Sequence, residues 1–190
     1  MNLEELAARI PAERRVTAPP EITGPAQALL ATWGASDGVA VLRDALESLL
    51  VTAMDRDTAA NAHPAFVAML AQLAPDELRM LGTIEHANYA ALDVYENGPQ
   101  GRVSRGPRTL LGIGTIAEER QPQYVLNLDR LGIVRLDWST MASSRADYNA
   151  LKQRVRTELA TVDTSTMDGS IIVTWLGQQF IAACQLIQKR

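Results

Sequence analysis

Between His63 and Leu81 the chain reads HPAFVAMLAQLAPDELRML, and proline stands twice at the head of an apolar repeat. Pro64 suits the first position of a helix, where its missing N–H has no partner to lose, and this places His63 at the N-cap. Phe66, Val67, Leu70 and Leu73 then recur at helical spacing and make one apolar face. The residue before a proline is pushed out of the α region, so Ala74-Pro75 ends this helix. Asp76 and Glu77 put negative charge in the first turn of the next one, where the helix dipole favours it, and Leu78, Leu81 and Ile84 continue the face. Two short helices meeting at a sharp corner are therefore expected here.

The segments before the corner are also read as helical. Leu3 to Ile10 forms a short amphipathic helix stopped by Pro11, and the proline-rich run Ala12 to Thr23 has no period and reads as an extended connection. A helix opens at Pro25 and runs to Trp33, closed by Gly34. The next, from about Gly38 to Met54, carries Val39, Leu42, Ala45, Leu46, Leu49, Leu50 and Ala53 on a wide stripe suited to a bundle interior.

After His86 the pattern changes. Tyr89 to Tyr95 reads as a strand or as the end of a longer helix, its short length favouring the strand, and is followed by a turn at Asn97-Gly98-Pro99. Residues 98–108 hold three glycines, two prolines and three arginines without an acid, and read as a flexible basic loop. Thr109 to Glu119 is apolar and is assigned to a helix. A second helix runs from Gln123 to Leu131 behind Pro122 and closes at Gly132. Ile133 to Trp138 alternates as a half-buried strand. Ser144 to Thr161 is an amphipathic helix with Tyr148, Leu151, Val155 and Leu159 on one side. Asp163 to Gly169 is a loop, Ile171 to Thr174 a strand, and Leu176 to Gln188 a final helix. Helix, strand, helix, helix, strand, strand is the element order of a winged helix. The fold expected is α+β and mostly α: an N-terminal helical region (1–62), then a winged-helix-like domain (63–190) with a helical insertion in the wing. The strands 133–138 and 171–174 are expected to pair antiparallel, with the inserted helix outside the sheet and dispensable for folding.

Composition limits the function classes. The net charge of −4 on 190 residues gives no bulk electrostatic footprint for nucleic acid. No apolar run approaches the ~18 residues of a membrane span, and the N-terminus lacks the basic-then-apolar order of a signal peptide. A single cysteine, Cys184, excludes an intrachain disulfide and fits a cytoplasmic protein. Two histidines, His63 and His86, and one cysteine lack zinc spacing. No basic neighbour is visible to activate Cys184, and Gly112-Ile113-Gly114 lacks the lysine of a phosphate loop. No catalytic residue, metal or cofactor is assigned, and the chain is read as no enzyme.

Two groups are candidate contacts. Arg102, Arg105 and Arg108 sit together on the basic loop and suit an oxyanion or an acidic partner. Gln123, Tyr124, Asn127 and Arg130, with Gln121, would form the outward face of a recognition helix, because such side chains read base edges. Asp129 and the net charge oppose that reading.

Three runs carry a resemblance. LLVTAMDRDTAANAHPAFVAMLAQLAPDELRML (Leu49 to Leu81), NLDRLGIV (Asn127 to Val134) and TWLGQQFIAAC (Thr174 to Cys184) occur in the order seen in the Abi-alpha family of bacterial proteins, linked to phage abortive infection, which they resemble. The chain departs from the family's pattern at Ala74, where serine is usual, and this weakens a local cap. The resemblance implies a phage-defence role and brings no catalytic residues with it. The leading expectation is a non-enzymatic protein acting through protein contacts, with homo-oligomer formation open. Its rivals are a winged-helix regulator binding duplex DNA and a hydrolytic toxin whose site the sequence does not display.

Overall fold

A computed structural model describes residues 2–34, 36–112, 114, 116–142 and 144–186. The chain divides into two compact units. The first takes residues 1–82 and 178–190, the second residues 83–177. The sequence reading instead drew a line between residues 62 and 63. Among the described residues no helix is long and apolar enough to cross a membrane.

The first unit is helical: α1 (Leu3–Ala7), α2 (Pro20–Trp33), α3 (Ala40–Met54), α4 (Ala65–Leu70) and α5 (Pro75–Leu81). Its axis is α3, which touches the other four and buries Leu42, Leu46, Leu49, Leu50 and Ala53, the stripe its spacing predicts. α2 starts one turn earlier than expected, at Pro20 behind Pro19, and carries Pro25 inside it. Pro20 fills the first-turn position that proline tolerates, whereas Pro25 lies inside the helix and gives up the bond to the carbonyl four residues back. The corner forms, one residue later than expected at its first helix: α4 starts at Ala65 with Pro64, not His63, at its N-cap, while α5 starts at Pro75 as expected. His63 Nδ1 accepts the Ala65 N–H at 3.1 Å at the start of α4, and Glu77 accepts the Ala74 N–H at 2.6 Å at the start of α5. Ala74 has no side-chain acceptor to return that bond, so only half a capping box exists. Phe66 packs edge-on against Phe180, with ring centroids 5.4 Å apart. Phe180 lies on α8 (Trp175–Ala183), whose later part belongs to this unit. Ile187 and Gln188, assigned to the last helix by sequence, lie outside the described residues.

The second unit is built on β1 (Asn88–Gly98), β2 (Gly101–Thr109), β3 (Val134–Asp137) and β4 (Thr164–Val173), with α6 (Gln121–Arg130) and α7 (Arg145–Glu158). The sheet order is β2-β1-β4-β3, every neighbour antiparallel. β3 and β4 pair as expected, Val134 opposite Val173, but inside a four-stranded sheet. Three assignments are corrected. The basic loop 98–108 is mostly strand β2, paired with β1 through a hairpin that closes at Gly98 and Gly101. The run 109–119 is not a helix, because β2 reaches Thr109 and a short 3-10 turn follows at Glu118–Arg120; Ile113 and Thr115 lie outside the described residues. The loop expected at 163–169 is instead the first half of β4. The inserted helix is also part of the core of this unit. Tyr148, Leu151 and Val155 of α7 form one buried cluster with Ala90, Leu92 and Val94 of β1.

Candidate functional site

All seven predicted contact residues fall in the second unit, but on two different elements. β2 holds the three arginines. After Asn97-Gly98 turns the chain, Gly101 to Thr109 runs back along β1, and a bulge leaves Arg105 without a partner between Ser104 and Gly106. Gly106 takes φ +80°, and a Cβ there would come 2.8 Å from Pro122 Cβ, so only glycine lets α6 approach the strand this closely.

The arginines do not share one environment. Arg108 is buried, its side chain 10% exposed, and it holds Glu158 of α7 in a two-pronged pair at 2.9 and 3.3 Å. Its third contact is the Arg105 carbonyl at 3.2 Å. It therefore ties the helix to the sheet and is withdrawn from any partner. Arg105 is exposed and pairs with Glu96 across the hairpin. Arg102 is exposed and lies over the ring of Tyr95, 4.2 Å from the centroid. A hydrogen bond to Asp93 pushes the Tyr95 phenol up from its ordinary value, with burial adding to it. Ser104 donates to Asp93 at 3.2 Å, and Ser165 of β4 donates to Asn97 at 3.0 Å. The hairpin tip is thus braced by side chains from three strands. Val103, at its end, is 63% exposed.

On α6, Gln123 and Arg130 are exposed, and Tyr124 and Asn127 half-buried. Arg130 donates twice to Asn127 Oδ1, at 2.7 and 3.1 Å. Gln121 points inward: its amide spans the end of β2, accepting from Thr109 N–H and donating to the Thr109 and Leu111 carbonyls. Asp129, which the sequence counted against a DNA face, accepts the Leu136 N–H at 2.9 Å and so positions β3.

A cleft of about 320 Å³ opens among Glu85, His86, Tyr89, Leu110 and Asp147, and the Tyr89 hydroxyl accepts the N–H groups of Glu85 and His86 at 2.6 and 2.9 Å. Among the described residues no group of three or more His, Cys, Asp or Glu could hold a metal ion. Cys184 lies in the first unit, buried, and burial pushes its thiol far above the ordinary range. Sequence reasoning missed Tyr95, Asp93 and Glu158. The signal for the first two was present: an Asn-Gly turn makes the next residues a returning strand, which brings the arginines beside Tyr95.

Comparison with known families decides the kinship. The family described as Abortive infection alpha matches residues 1–184. The chain belongs to the abortive infection alpha family. Membership covers both units and gives the chain an abortive-infection-related setting. A solved structure of an uncharacterised protein from the hydrocarbon-degrading marine bacterium Alcanivorax borkumensis SK2 is similar at 19% identity, over 63% of this chain and 92% of that one, with a TM-score of 0.42. No curated protein matches this abortive infection alpha chain.

Proposed function

We propose that the protein serves phage defence in the bacterial cytoplasm as a non-enzymatic binding protein, and that the β1–β2 hairpin makes the contact with a protein partner. The observation that carries this is the tip itself, where the Arg102 guanidinium stacks on Tyr95 beside a largely exposed Val103. Tyrosine and arginine are the residues most often found at the energetic centre of protein interfaces. Arg105 and Arg108 are already paired with Glu96 and Glu158, which leaves the tip closer to an amphipathic patch than to a phosphate clamp. The test is a plaque assay on cells carrying Arg102→Ser with Val103→Ser. Lost protection with an unchanged melting temperature supports the reading. Full protection at equal stability removes it.

The second reading is a winged-helix regulator that lays α6 in duplex DNA, with β3 and β4 as the wing. Gln123 and Arg130 on the exposed side of α6 favour it, as does the antiparallel β3–β4 pair. Duplex affinity that falls steeply with salt and is lost in Gln123→Ala with Arg130→Ala would place function there.

A further inference from the structure

α7 is charged unequally around its circumference. Tyr148, Leu151 and Val155 define the buried side. On one flank stand Arg145, Asn149, Lys152 and Arg156, spaced by four, three and four residues, which is a single stripe along a helix. Both acids of the helix, Asp147 and Glu158, fall on the other flank. At 1.5 Å per residue the stripe from Arg145 to Arg156 is about 16 Å long. Arg145 and Arg156 are exposed and have no ion-pair partner among the described residues.

The floor beside the stripe can be read from the strand register. Lys152 reaches Asp168 of β4 at 2.8 Å, so this flank looks along β4, on the sheet face that α7 covers. Ile172 shares that face, since side chains alternate along a strand, and Arg135 of β3 stands opposite Ile172. Thr164 and Thr166, both half-buried, belong to the same face of β4. α7 itself packs on β1 and β2. The corner between its flank and β4–β3 therefore presents four cations. The three strand carboxylates on that face are engaged: Asp168 by Lys152, Glu96, which stands opposite Thr164, by Arg105, and Asp137 by the N–H and hydroxyl of Ser139 and by the Thr140 N–H. In a chain of net charge −4, this is a local concentration of the opposite sign with hydroxyls beside it.

We infer that this corner is a second binding site, distinct from the hairpin tip, and that it takes the sugar-phosphate backbone of a nucleic acid. Guanidinium groups set along a line of about 16 Å with threonine hydroxyls beneath suit successive phosphates, and a single amide, Asn149, is too little to read a run of bases. Binding is accordingly sequence-independent and salt-dependent. The experiment uses fluorescence anisotropy of the full chain with a labelled 20-base single-stranded RNA and a labelled 20-base-pair DNA duplex, from 50 to 200 mM salt. The expected result is binding of at least one probe, whose affinity falls with salt and drops more than about tenfold at 50 mM salt in Arg145→Gln with Arg156→Gln. The salt slope should decrease by about 0.7 per lost contact on the single strand, or about 0.9 on the duplex. The tighter probe identifies the strand type. Lys152 is left intact because its pair with Asp168 supports the fold, and the double variant is checked for an unchanged melting temperature. Arg145→Ala alone and Arg156→Ala alone serve as the fallback should the double variant fold poorly. Absence of binding to both probes at 50 mM salt overturns the inference, and so does affinity that survives in the α7 variants while Arg102→Ser or Arg130→Ser abolishes it.

Discussion

Arg108 and Arg102 are six residues apart on one strand, and the fold gives them opposite duties. Arg108 is enclosed with Glu158, and removing one member of such a pair strands the other. Arg108→Ala should cost about 2–3 kcal/mol in urea unfolding, below the ~3–5 of a fully buried pair, because the Glu158 side chain is 21% exposed. Arg102→Ser should stay within ~0.5 kcal/mol. The half-made capping box predicts a gain. Ala74→Ser supplies the missing oxygen and should raise stability by roughly 0.5–1 kcal/mol in the same measurement. Asp55 gives a pH dependence. The Arg14 hydrogen bond holds its carboxyl below the ordinary value. The folded protein thus takes up that proton less readily than the unfolded chain. The stabilisation is fully present above the unfolded value of about 4 and is lost as pH falls through it toward the folded one. Stability measured from pH 6 downward should therefore fall more steeply in the parent than in Asp55→Asn, whose curve lacks this contribution. Equal slopes would show that the Arg14 contact is absent in solution.

α7 shows how an element's role depends on what lies underneath it. It was expected to be an excursion from a wing, yet its buried side completes the core over β1, and Arg108–Glu158, Lys152–Asp168 and Arg154–Glu118 fix its edges. Replacing residues 140–168 with a short Gly-rich linker removes this helix and half of β4, the strand between β1 and β3. That variant should aggregate or expose its core to a hydrophobic dye, whereas the parent stays soluble. The helices of the first unit, α6 and α7 were legible because apolar spacing and proline or glycine punctuation agree there, whereas at Tyr89 to Tyr95 the short apolar run suited a strand or a helix end equally in period and only its length favoured the strand. β2 was not legible. GRVSRGPRT has little strand propensity and is an edge strand, where arginine, proline and a bulge discourage stray pairing and also erase the usual signal. The run after it looked helical because TLLGIG is apolar, but Leu110 and Leu111 follow directly on the end of a strand at Thr109. Of the candidate site, the exposure of Gln123 and Arg130 followed from helical period. The burial of Arg108 could not, since its partner is fifty residues away.

At the scale of the molecule, the first unit is discontinuous in sequence. Phe180, Ile181, Ala183 and Cys184 are buried in it, and Thr52 donates to the Ala183 carbonyl at 2.9 Å. Phe66→Ala should cost about 3–5 kcal/mol, read as a lower melting temperature, because it empties the space facing the Phe180 ring. An unchanged melting temperature would mean that this ring pair does not anchor the unit. The same discontinuity sets an order of events during translation. Residues 1–82 leave the ribosome before Phe180 is made, so the apolar side chains that face it stay uncovered while the whole of the second unit is made. The second unit is contiguous and can close on its own, domain by domain, as nascent chains do. A chain arrested before residue 178 should therefore carry a protease-resistant second unit and a protease-sensitive segment 1–82, and that segment should become resistant only once the stretch around Phe180 has been added.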